Sequence, residues 1–308
     1  MNILFHTPGT NGASWIDALT QALPEARIDR WPATGASDTD YAVVWKPPQE
    51  LVTTLGRVKA IFNLGAGVDS MPDLSTLPES VPVVRLDDAG MAEQMVEYVC
   101  HCVLRRYREF DAYADQQREA RWQQRPRLSK RDFVVGILGA GVLGTAVAGA
   151  LVRLGFPVRA WSRARKAIPR VVSFAGAQEL DDFLAATRVL VCLLPLTQDT
   201  ERLLDGVRLS RLPRGAYLVN VARGALVVDA ELIALLDNNH LAGATLDVFR
   251  DEPLPAGHPF WHHPRVVLTP HVSAMTLVEE SVAQIAAKIR QLEAGLPITG
   301  IVLRQRGY

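Results

Sequence analysis

Short apolar runs alternate with longer mixed stretches in the N-terminal part of the chain. The runs cover residues 3–5, 41–45, 60–64 and 81–86, and turn residues bound them. Runs of this length predict buried strands, and the stretches between them predict helices or irregular connections. Because strands that alternate with helices form parallel sheets, a first α/β domain is expected here.

A second alternating segment follows and is clearer than the first. Its strands are predicted at residues 133–138, 158–161, 189–194, 216–221, 244–248 and 266–269, with helical stretches such as 230–236 between them. Between the two segments, residues 91–122 are apolar at helical spacing and then strongly charged. That pattern predicts one long helix that leaves the first domain and extends over a surface.

The C-terminal pattern makes the first domain discontinuous. From residue 281 onward the chain is helical in pattern and then strand-like at 298–303, as expected of a segment that returns to the first sheet. The sequence therefore predicts an α/β fold with two doubly wound parallel-sheet domains. The first spans residues 1–98 and is completed by 279–308, and the second spans 99–278.

The charge balance excludes two classes of partner. Lys plus Arg and Asp plus Glu number 33 each, so the chain of 308 residues carries no formal net charge. Without a long-range attraction for polyanions, neither nucleic acid nor a membrane is expected as a partner. Any anion site must therefore be a local pocket.

The cysteines predict the compartment. Cys100, Cys102 and Cys192 form an odd and sparse set, which is typical of a reducing, cytoplasmic location rather than of a disulfide framework. Three histidines in residues 257–264 lie between prolines and have no acidic or cysteine neighbour to complete a tetrahedral set. We expect a surface turn there and no metal site.

An uncharged segment, residues 133–152, contains the most informative motif. Its length could cross a bilayer, but its five glycines favour a strand, a tight turn and a buried helix. The turn reads Gly139-Ala140-Gly141-Val142-Leu143-Gly144. In a dinucleotide site the first glycine permits the turn, the second lets backbone approach a pyrophosphate, and the third packs the helix on the strand. The motif predicts such a site, with a purely structural turn as the alternative.

The end of the following strand predicts which dinucleotide is bound. Ser162 and Arg163 stand where an NAD site places an acidic residue on the ribose 2′-hydroxyl. A guanidinium can pair with a 2′-phosphate through two hydrogen bonds, and Arg165 and Lys166 add positive charge. We predict NADP as the preferred cofactor and NAD as the second option, with a solvated basic turn as the structural alternative.

Three later strands are each followed by a candidate catalytic residue: Arg223, Glu252 and His271. Reduction of a 2-oxo acid needs a proton donor for the developing oxyanion, and histidine titrates in the useful range. A carboxylate behind the histidine favours its protonated form, and a guanidinium can polarise the carbonyl and bind a carboxylate. Singly, each residue could be structural; their joint presence after a dinucleotide motif favours catalysis.

These motifs, together with residues 63–69 and 194–200, resemble the D-isomer-specific 2-hydroxyacid dehydrogenase family over essentially the whole chain. Within the family, the likeness is strongest to a subgroup that reduces glyoxylate and hydroxypyruvate, and it includes the tail, residues 304–308. The resemblance implies NADPH-dependent reduction of a small 2-oxo acid. It implies Arg223, Glu252 and His271 as the catalytic residues, with His271 as the general acid.

The resemblance also implies binding residues in two Rossmann-like domains with the active site in the cleft between them. Cofactor contacts are expected at residues 139–144, Ser162, Arg163, Leu194, Pro195, Thr200, Val221, Ala222, Asp247 and Ser273. Substrate contacts are expected at Trp45, Leu64, Gly65, Ala66, Gly67, Arg223 and His271. Glycines expose backbone N–H groups to an anion, so residues 65–67 are expected to hold the substrate carboxylate.

Two other functions remain open at this point. The chain could be an NAD-linked dehydrogenase of another D-2-hydroxy acid, or a non-catalytic protein that senses nicotinamide cofactors. Family members dimerise through the region that corresponds to residues 91–122, so the resemblance implies a homodimer.

Overall fold

A computed structural model describes residues 1–9, 12–32 and 38–304 of the protein. Residues 305–308 of the tail motif lie outside the described residues. The chain divides into two compact units, Met1–Met91 with Thr276–Tyr308, and Ala92–Met275. The predicted domain boundaries lie a few residues further along the chain and stay a prediction.

The secondary structure alternates between strands and helices throughout. The strands are β1 (Asn2–His6), β2 (Arg27–Arg30), β3 (Tyr41–Val44), β4 (Ala60–Asn63), β5 (Val83–Arg85), β6 (Val135–Leu138), β7 (Val158–Ser162), β8 (Val171–Ala175), β9 (Val189–Cys192), β10 (Ala216–Asn220), β11 (Leu241–Leu246) and β12 (Val266–Leu268). The helices are α1 (Gly12–Ala22), α2 (Gln49–Thr54), α3 (Met91–Tyr107), α4 (Phe110–Arg118), α5 (Val142–Arg153), α6 (Leu180–Ala185), α7 (Gly206–Leu209), α8 (Asp229–Asp237) and α9 (Val278–Glu293).

The first unit is a five-stranded parallel sheet in the order β2-β1-β3-β4-β5. Strands β3 and β4 are buried along their whole length, which explains their continuous apolar sequence. The C-terminal helix α9 packs against α1, and the hydroxyl of Tyr41 donates to Glu293 Oε1 at 2.7 Å. The C-terminal segment therefore completes the first unit.

The second unit is a seven-stranded parallel sheet in the order β12-β11-β10-β9-β6-β7-β8. Alternate strand residues belong to two apolar clusters: Leu190 packs with residues of α6, α7 and α8, whereas Val191 packs with residues of α3 and α5. Helices thus cover both faces of the sheet, which confirms the predicted doubly wound α/β class. The uncharged segment folds, as expected, into β6, the glycine turn and α5.

Three predictions of secondary structure were wrong in detail. The predicted long helix is two helices, because Glu109 adopts a left-handed conformation (φ 54°) between α3 and α4. The strand-like residues 298–303 form only an isolated antiparallel bridge between Ile301 and Val84. Strands β2 and β8 were missed because they are sheet edges and are only partly buried, so no continuous apolar run marks them.

Among the described residues, no helix is both long and apolar enough to cross a membrane. The three cysteines are free thiols, and Cys102 and Cys192 are buried. Burial raises the pKa of each of these two thiols to about 12, so both stay protonated at neutral pH.

Candidate active site

The glycine turn lies where the strand order of the second sheet reverses, between β6 and its neighbour β9. Gly139 has φ +114°, and a Cβ there would lie 2.7 Å from the carbonyl oxygen of Leu193. A Cβ on Gly144 would overlap the carbonyl oxygen of Gly139. Packing within the chain therefore requires these two glycines. A Cβ on Gly141, by contrast, would meet nothing within 4 Å among the described residues.

Helix α5 begins immediately after Gly141 and presents its N-terminus at this open position. No described side chain caps the helix, and the first bond inside it runs from the Thr145 N–H to the Gly141 carbonyl oxygen at 2.9 Å. The N–H groups of its first turn and the positive end of the helix dipole suit an anion. The absent side chain at Gly141 and these donors together fit a dinucleotide pyrophosphate.

The end of β7 carries positive charge and no acidic residue. The Ser162 hydroxyl donates to the Ala164 carbonyl at 2.7 Å, and the Arg163 side chain is exposed. Arg165 forms an ion pair with Glu179 at 2.5 Å. Arg163 directly follows the last residue of β7, whereas Arg165 lies two residues further along the chain.

The loop after β9 is organised by Thr200. Its hydroxyl donates to the Pro195 carbonyl at 2.7 Å and accepts from the Thr197 N–H at 2.8 Å. Leu194 is buried at the start of this loop, where its backbone nitrogen approaches the Gly139 turn. Thr200 thus shapes the loop that borders the glycine turn.

His271 and Glu252 form a hydrogen-bonded pair after the ends of β12 and β11. His271 Nδ1 lies 2.8 Å from Glu252 Oε2, and Glu252 Oε1 accepts from the Phe249 N–H at 2.9 Å. The side chains of His271 and Glu252 are 42% and 36% exposed, so a ligand in solution can reach the pair. Because Nδ1 is engaged with Glu252, Nε2 is the nitrogen that can exchange a proton.

Arg223 follows β10. Asn220 and Gly224, which were not predicted as site residues, fix the turn that carries it. Buried Asn220 donates from Nδ2 to the Arg223 carbonyl at 3.0 Å and accepts from the Ala222 N–H at 3.2 Å. A Cβ on Gly224 would overlap the backbone of Phe249. The Arg223 turn therefore packs directly against the loop that carries Glu252.

Asp247 is fully buried and holds the loop of His271. Its Oδ1 accepts from Thr269 Oγ1 at 2.6 Å and from the Val272 N–H at 2.9 Å, and its Oδ2 accepts from the Ser273 N–H at 2.8 Å. The His271 N–H donates to the Asp247 carbonyl at 2.8 Å. In this structure Asp247 and Ser273 bond each other, and their contact with a cofactor stays a prediction, as do those of the buried Val221 and Ala222.

The first unit has a glycine-containing loop after β4, where the substrate carboxylate is predicted to bind. Buried Asn63 donates from Nδ2 to the carbonyls of Gly65 and Gly67 at 3.1 and 2.9 Å. Because the N–H of a trans peptide points opposite to its carbonyl, the N–H groups of Ala66 and Val68 point away from Asn63. An asparagine directly before a glycine-rich loop is the sequence signal for this positioning role, and Asn63 is not among the predicted site residues.

Trp45 packs against the same loop. A Cβ on Gly65 would lie 2.6 Å from Cζ3 of the Trp45 ring. The N–H groups of Leu64 and Gly65 donate within the unit, to the carbonyls of Val44 and Asn63 at 2.9 Å each. Leu64 and Gly65 therefore use their N–H groups within the unit, whereas the N–H groups of Ala66 and Val68 point away from Asn63.

No cluster of three or more metal-ligating side chains occurs in residues 1–9, 12–32 and 38–304. In the second unit, His258 lies 3.4 Å from Asp229 and His263 lies 3.4 Å from Asp237, at opposite ends of α8. Each of these two histidines of the 257–264 segment thus has an acidic partner.

Comparison with known proteins identifies close relatives. Residues 100–273 match the family described as D-isomer specific 2-hydroxyacid dehydrogenase, NAD binding domain. Proteins named glyoxylate/hydroxypyruvate reductase A from Escherichia fergusonii and Salmonella newport are 50% and 47% identical to this chain, over 100% of both proteins in each case.

Two solved structures are similar over the whole chain. The D-isomer specific 2-hydroxyacid dehydrogenase of Xanthobacter autotrophicus, in complex with NADPH and MES, has 41% identity and a TM-score of 0.94, with 100% of this chain and 99% of that chain covered. The NADPH-dependent glyoxylate/hydroxypyruvate reductase of Sinorhizobium meliloti, in complex with NADP and sulfate, has 33% identity and a TM-score of 0.91 at the same coverage.

A methyl group should have different effects at a glycine packed against backbone, such as Gly224, and at the open Gly141. Gly224→Ala should lower the free energy of unfolding by about 1–3 kcal/mol, because the Phe249 backbone must move to make room. Gly141→Ala should leave it nearly unchanged, because the new Cβ meets no described atom. Urea unfolding followed by circular dichroism measures both values, and equal losses would contradict the packing described above.

Proposed function

The chain belongs to the D-isomer-specific 2-hydroxyacid dehydrogenase family, and we propose that it reduces glyoxylate and hydroxypyruvate to the 2-hydroxy acids with NADPH. The observation that carries this proposal is the His271–Glu252 pair at the same sheet edge as the glycine turn. Relatives of that name at 50% and 47% identity support the substrates, and two similar structures in complex with NADPH or NADP support the cofactor.

His271 acts as the general acid in this proposal. NADPH, when bound, supplies a hydride to the carbonyl carbon of the substrate. The carbonyl π electrons move to the oxygen, which takes the proton from His271 Nε2 and leaves a neutral imidazole. Glu252 holds Nδ1 at 2.8 Å, so it orients the ring and stabilises the imidazolium before transfer.

Arg223 is the proposed substrate-binding residue of the second unit, and the loop after β4 is the proposed carboxylate-binding element of the first unit. The Arg223 guanidinium polarises the carbonyl and pairs with the substrate carboxylate. In the first unit, the Ala66 and Val68 N–H groups, which point away from Asn63, are the proposed carboxylate donors, with Leu64, Gly65, Gly67 and Trp45 shaping the loop. Guanidinium and backbone N–H donors both suit the oxygens of an anionic 2-oxo acid.

In this proposal, different residues hold the phosphates, the adenosine and the nicotinamide of the cofactor. The pyrophosphate binds at residues 139–144 and the N-terminus of α5, and the 2′-phosphate binds Ser162 and Arg163. The loop of Leu194, Pro195 and Thr200 borders the adenosine, and Val221, Ala222, Asp247 and Ser273 border the nicotinamide. A carboxylate at the end of β7 would repel a 2′-phosphate. Residues 163–175 contain no aspartate or glutamate, which favours NADP over NAD.

We propose a homodimer and a cytoplasmic location. Phe110 and Tyr113 of α4 are exposed, and Trp122 is completely exposed within residues 121–129, which form no helix or strand. Exposed aromatic groups in one region are typical of a protein–protein interface. Three free cysteines suit a reducing compartment.

Loss of the imidazole tests the chemical step. His271 has φ +57°, and asparagine tolerates this conformation, so His271→Asn removes the imidazole with little added strain. We expect kcat for glyoxylate to fall about 10²- to 10⁴-fold while NADPH affinity, measured by fluorescence titration, stays within a few-fold. His263→Asn, which removes a histidine paired with Asp237, is the control and should keep normal turnover. Near-normal kcat in His271→Asn would refute the proposed acid.

Cofactor selectivity depends on Arg163. Arg163→Gln should weaken NADPH binding about 10- to 100-fold, because hydrogen bonds between charged groups contribute about 1.5–3 kcal/mol, and should change NADH binding little. Arg165→Gln is the matched control, since it removes a guanidinium two residues beyond the proposed phosphate contact, and its effect should be much smaller. Dissociation constants for both cofactors decide the matter, and an equal loss of NADPH and NADH affinity in Arg163→Gln would exclude the role.

The dimer is testable by mass. Light scattering should give twice 33.8 kDa for the wild-type chain and a value near 33.8 kDa for Trp122→Glu, because a buried charge without a partner opposes association. Trp261→Glu alters a half-exposed tryptophan outside this region and should remain dimeric. A wild-type mass of 33.8 kDa would rule out the dimer.

A further inference from the structure

We propose that Tyr98 and Thr269 are positioning residues for the reaction. Their hydroxyls form two hydrogen bonds in series that hold the Asp247 carboxylate, and Asp247 in turn holds the loop of His271. This inference rests on the proposed role of His271, and it extends that role to a helix residue that touches neither substrate nor cofactor in the proposed mechanism.

The number of available hydrogens sets the direction of the Tyr98–Thr269 and Thr269–Asp247 hydrogen bonds. Thr269 Oγ1 lies 2.6 Å from Asp247 Oδ1 and 2.5 Å from the Tyr98 hydroxyl oxygen. The Asp247 carboxylate accepts from two backbone N–H groups as well, so it is the acceptor for Thr269. A threonine hydroxyl has a single hydrogen, which goes to Asp247, and Tyr98 must therefore donate to Thr269.

Tyr98 keeps this proton across the working pH range. Tyr98 lies on α3 within the second unit, and burial raises the pKa of its hydroxyl well above the usual value. A neutral phenol is a permanent donor, so the direction of the series does not reverse. Hydrogen bonds in series polarise and strengthen one another where water is excluded, as it is around fully buried Asp247.

The loop of His271 depends on Asp247 because the loop has a backbone conformation that its own residues do not favour. His271 has a positive φ of 57°, and its N–H and those of Val272 and Ser273 all donate to Asp247. Without the Thr269 hydroxyl, Oδ1 would keep one donor and the carboxylate could rotate. A displacement of about 1 Å at a catalytic group can lower turnover about 10²-fold.

A second tyrosine–threonine pair in the same unit provides a matched control. The Tyr217 and Thr245 hydroxyls lie 2.9 Å apart, and both residues are buried. The described hydrogen bonds of this pair include none to the Asp247 carboxylate. Tyr217→Phe therefore removes a comparable buried hydrogen bond without loosening the loop of His271.

The first measurement is amide hydrogen exchange in the cofactor-free, full-length protein. In Tyr98→Phe, peptides that contain Val272 and Ser273 should exchange about tenfold faster than in the wild type, and in Tyr217→Phe they should exchange at the wild-type rate. Unchanged exchange in Tyr98→Phe, or equal acceleration in Tyr217→Phe, would overturn the inference. This result does not depend on turnover, so it is separate from failure of the proposed function, which His271→Asn reports.

The second measurement is steady-state kinetics with glyoxylate and NADPH. Tyr98→Phe should lower kcat about tenfold and change both KM values less than twofold, whereas Tyr217→Phe should leave kcat within twofold. Thr269→Val should lower kcat at least as much as Tyr98→Phe, and the double variant should be no worse than Thr269→Val, because Tyr98 acts only through Thr269. Thr269→Ser keeps the hydroxyl and should restore most of the turnover. Additive losses in the double variant, or normal kcat in Tyr98→Phe, would overturn the inference.

Discussion

Parallel pairing of the seven strands sets the position of every proposed catalytic group in the second unit. A single row of paired residues crosses the sheet near its carboxyl edge: Trp161, Leu138, Cys192, Asn220, Leu246 and Leu268. The chain leaves the sheet just beyond this row at each strand. The glycine turn, the Arg223 turn, Asp247 and the loop of His271 therefore emerge at one edge although they are far apart in sequence. A change of register in one strand would remove one of these groups from the site.

Buried polar side chains hold the loops that follow the strand ends. Asn63, Asn220 and Asp247 lie at or just after the ends of β4, β10 and β11, and each is almost completely inaccessible to water. Each bonds backbone groups of the loop that follows or of a neighbouring loop, so the loop gains fixed hydrogen-bond partners in place of water. The groups proposed for catalysis, in contrast, remain partly exposed. A preorganised site requires this combination: buried residues that hold the loops rigidly and catalytic groups that a ligand can reach.

The sequence predicted the fold class because its central strands are buried on both faces and read as continuous apolar runs. Edge strands such as β2 lack that signal, and the break at Glu109 arises from a backbone conformation that no apolar pattern encodes. In the site, the glycine motif was recognisable because strand and helix flank it. The contacts of Gly224 and Tyr98 were not predictable, because they join loops or helices whose approach is determined only by the folded sheet.

Electrostatic compensation explains how a chain of zero net charge can attract anionic ligands at this edge. The two carboxylates built into the site do not act as bare negative charges: Asp247 accepts three hydrogen bonds, and Glu252 is paired with His271 and bonded to the Phe249 N–H. The α5 N-terminus, Arg163 and Arg223 are the positive groups of the proposed site that would meet these ligands. Because these groups are local and the net charge is zero, small anions that fit the turns are favoured over extended polyanions.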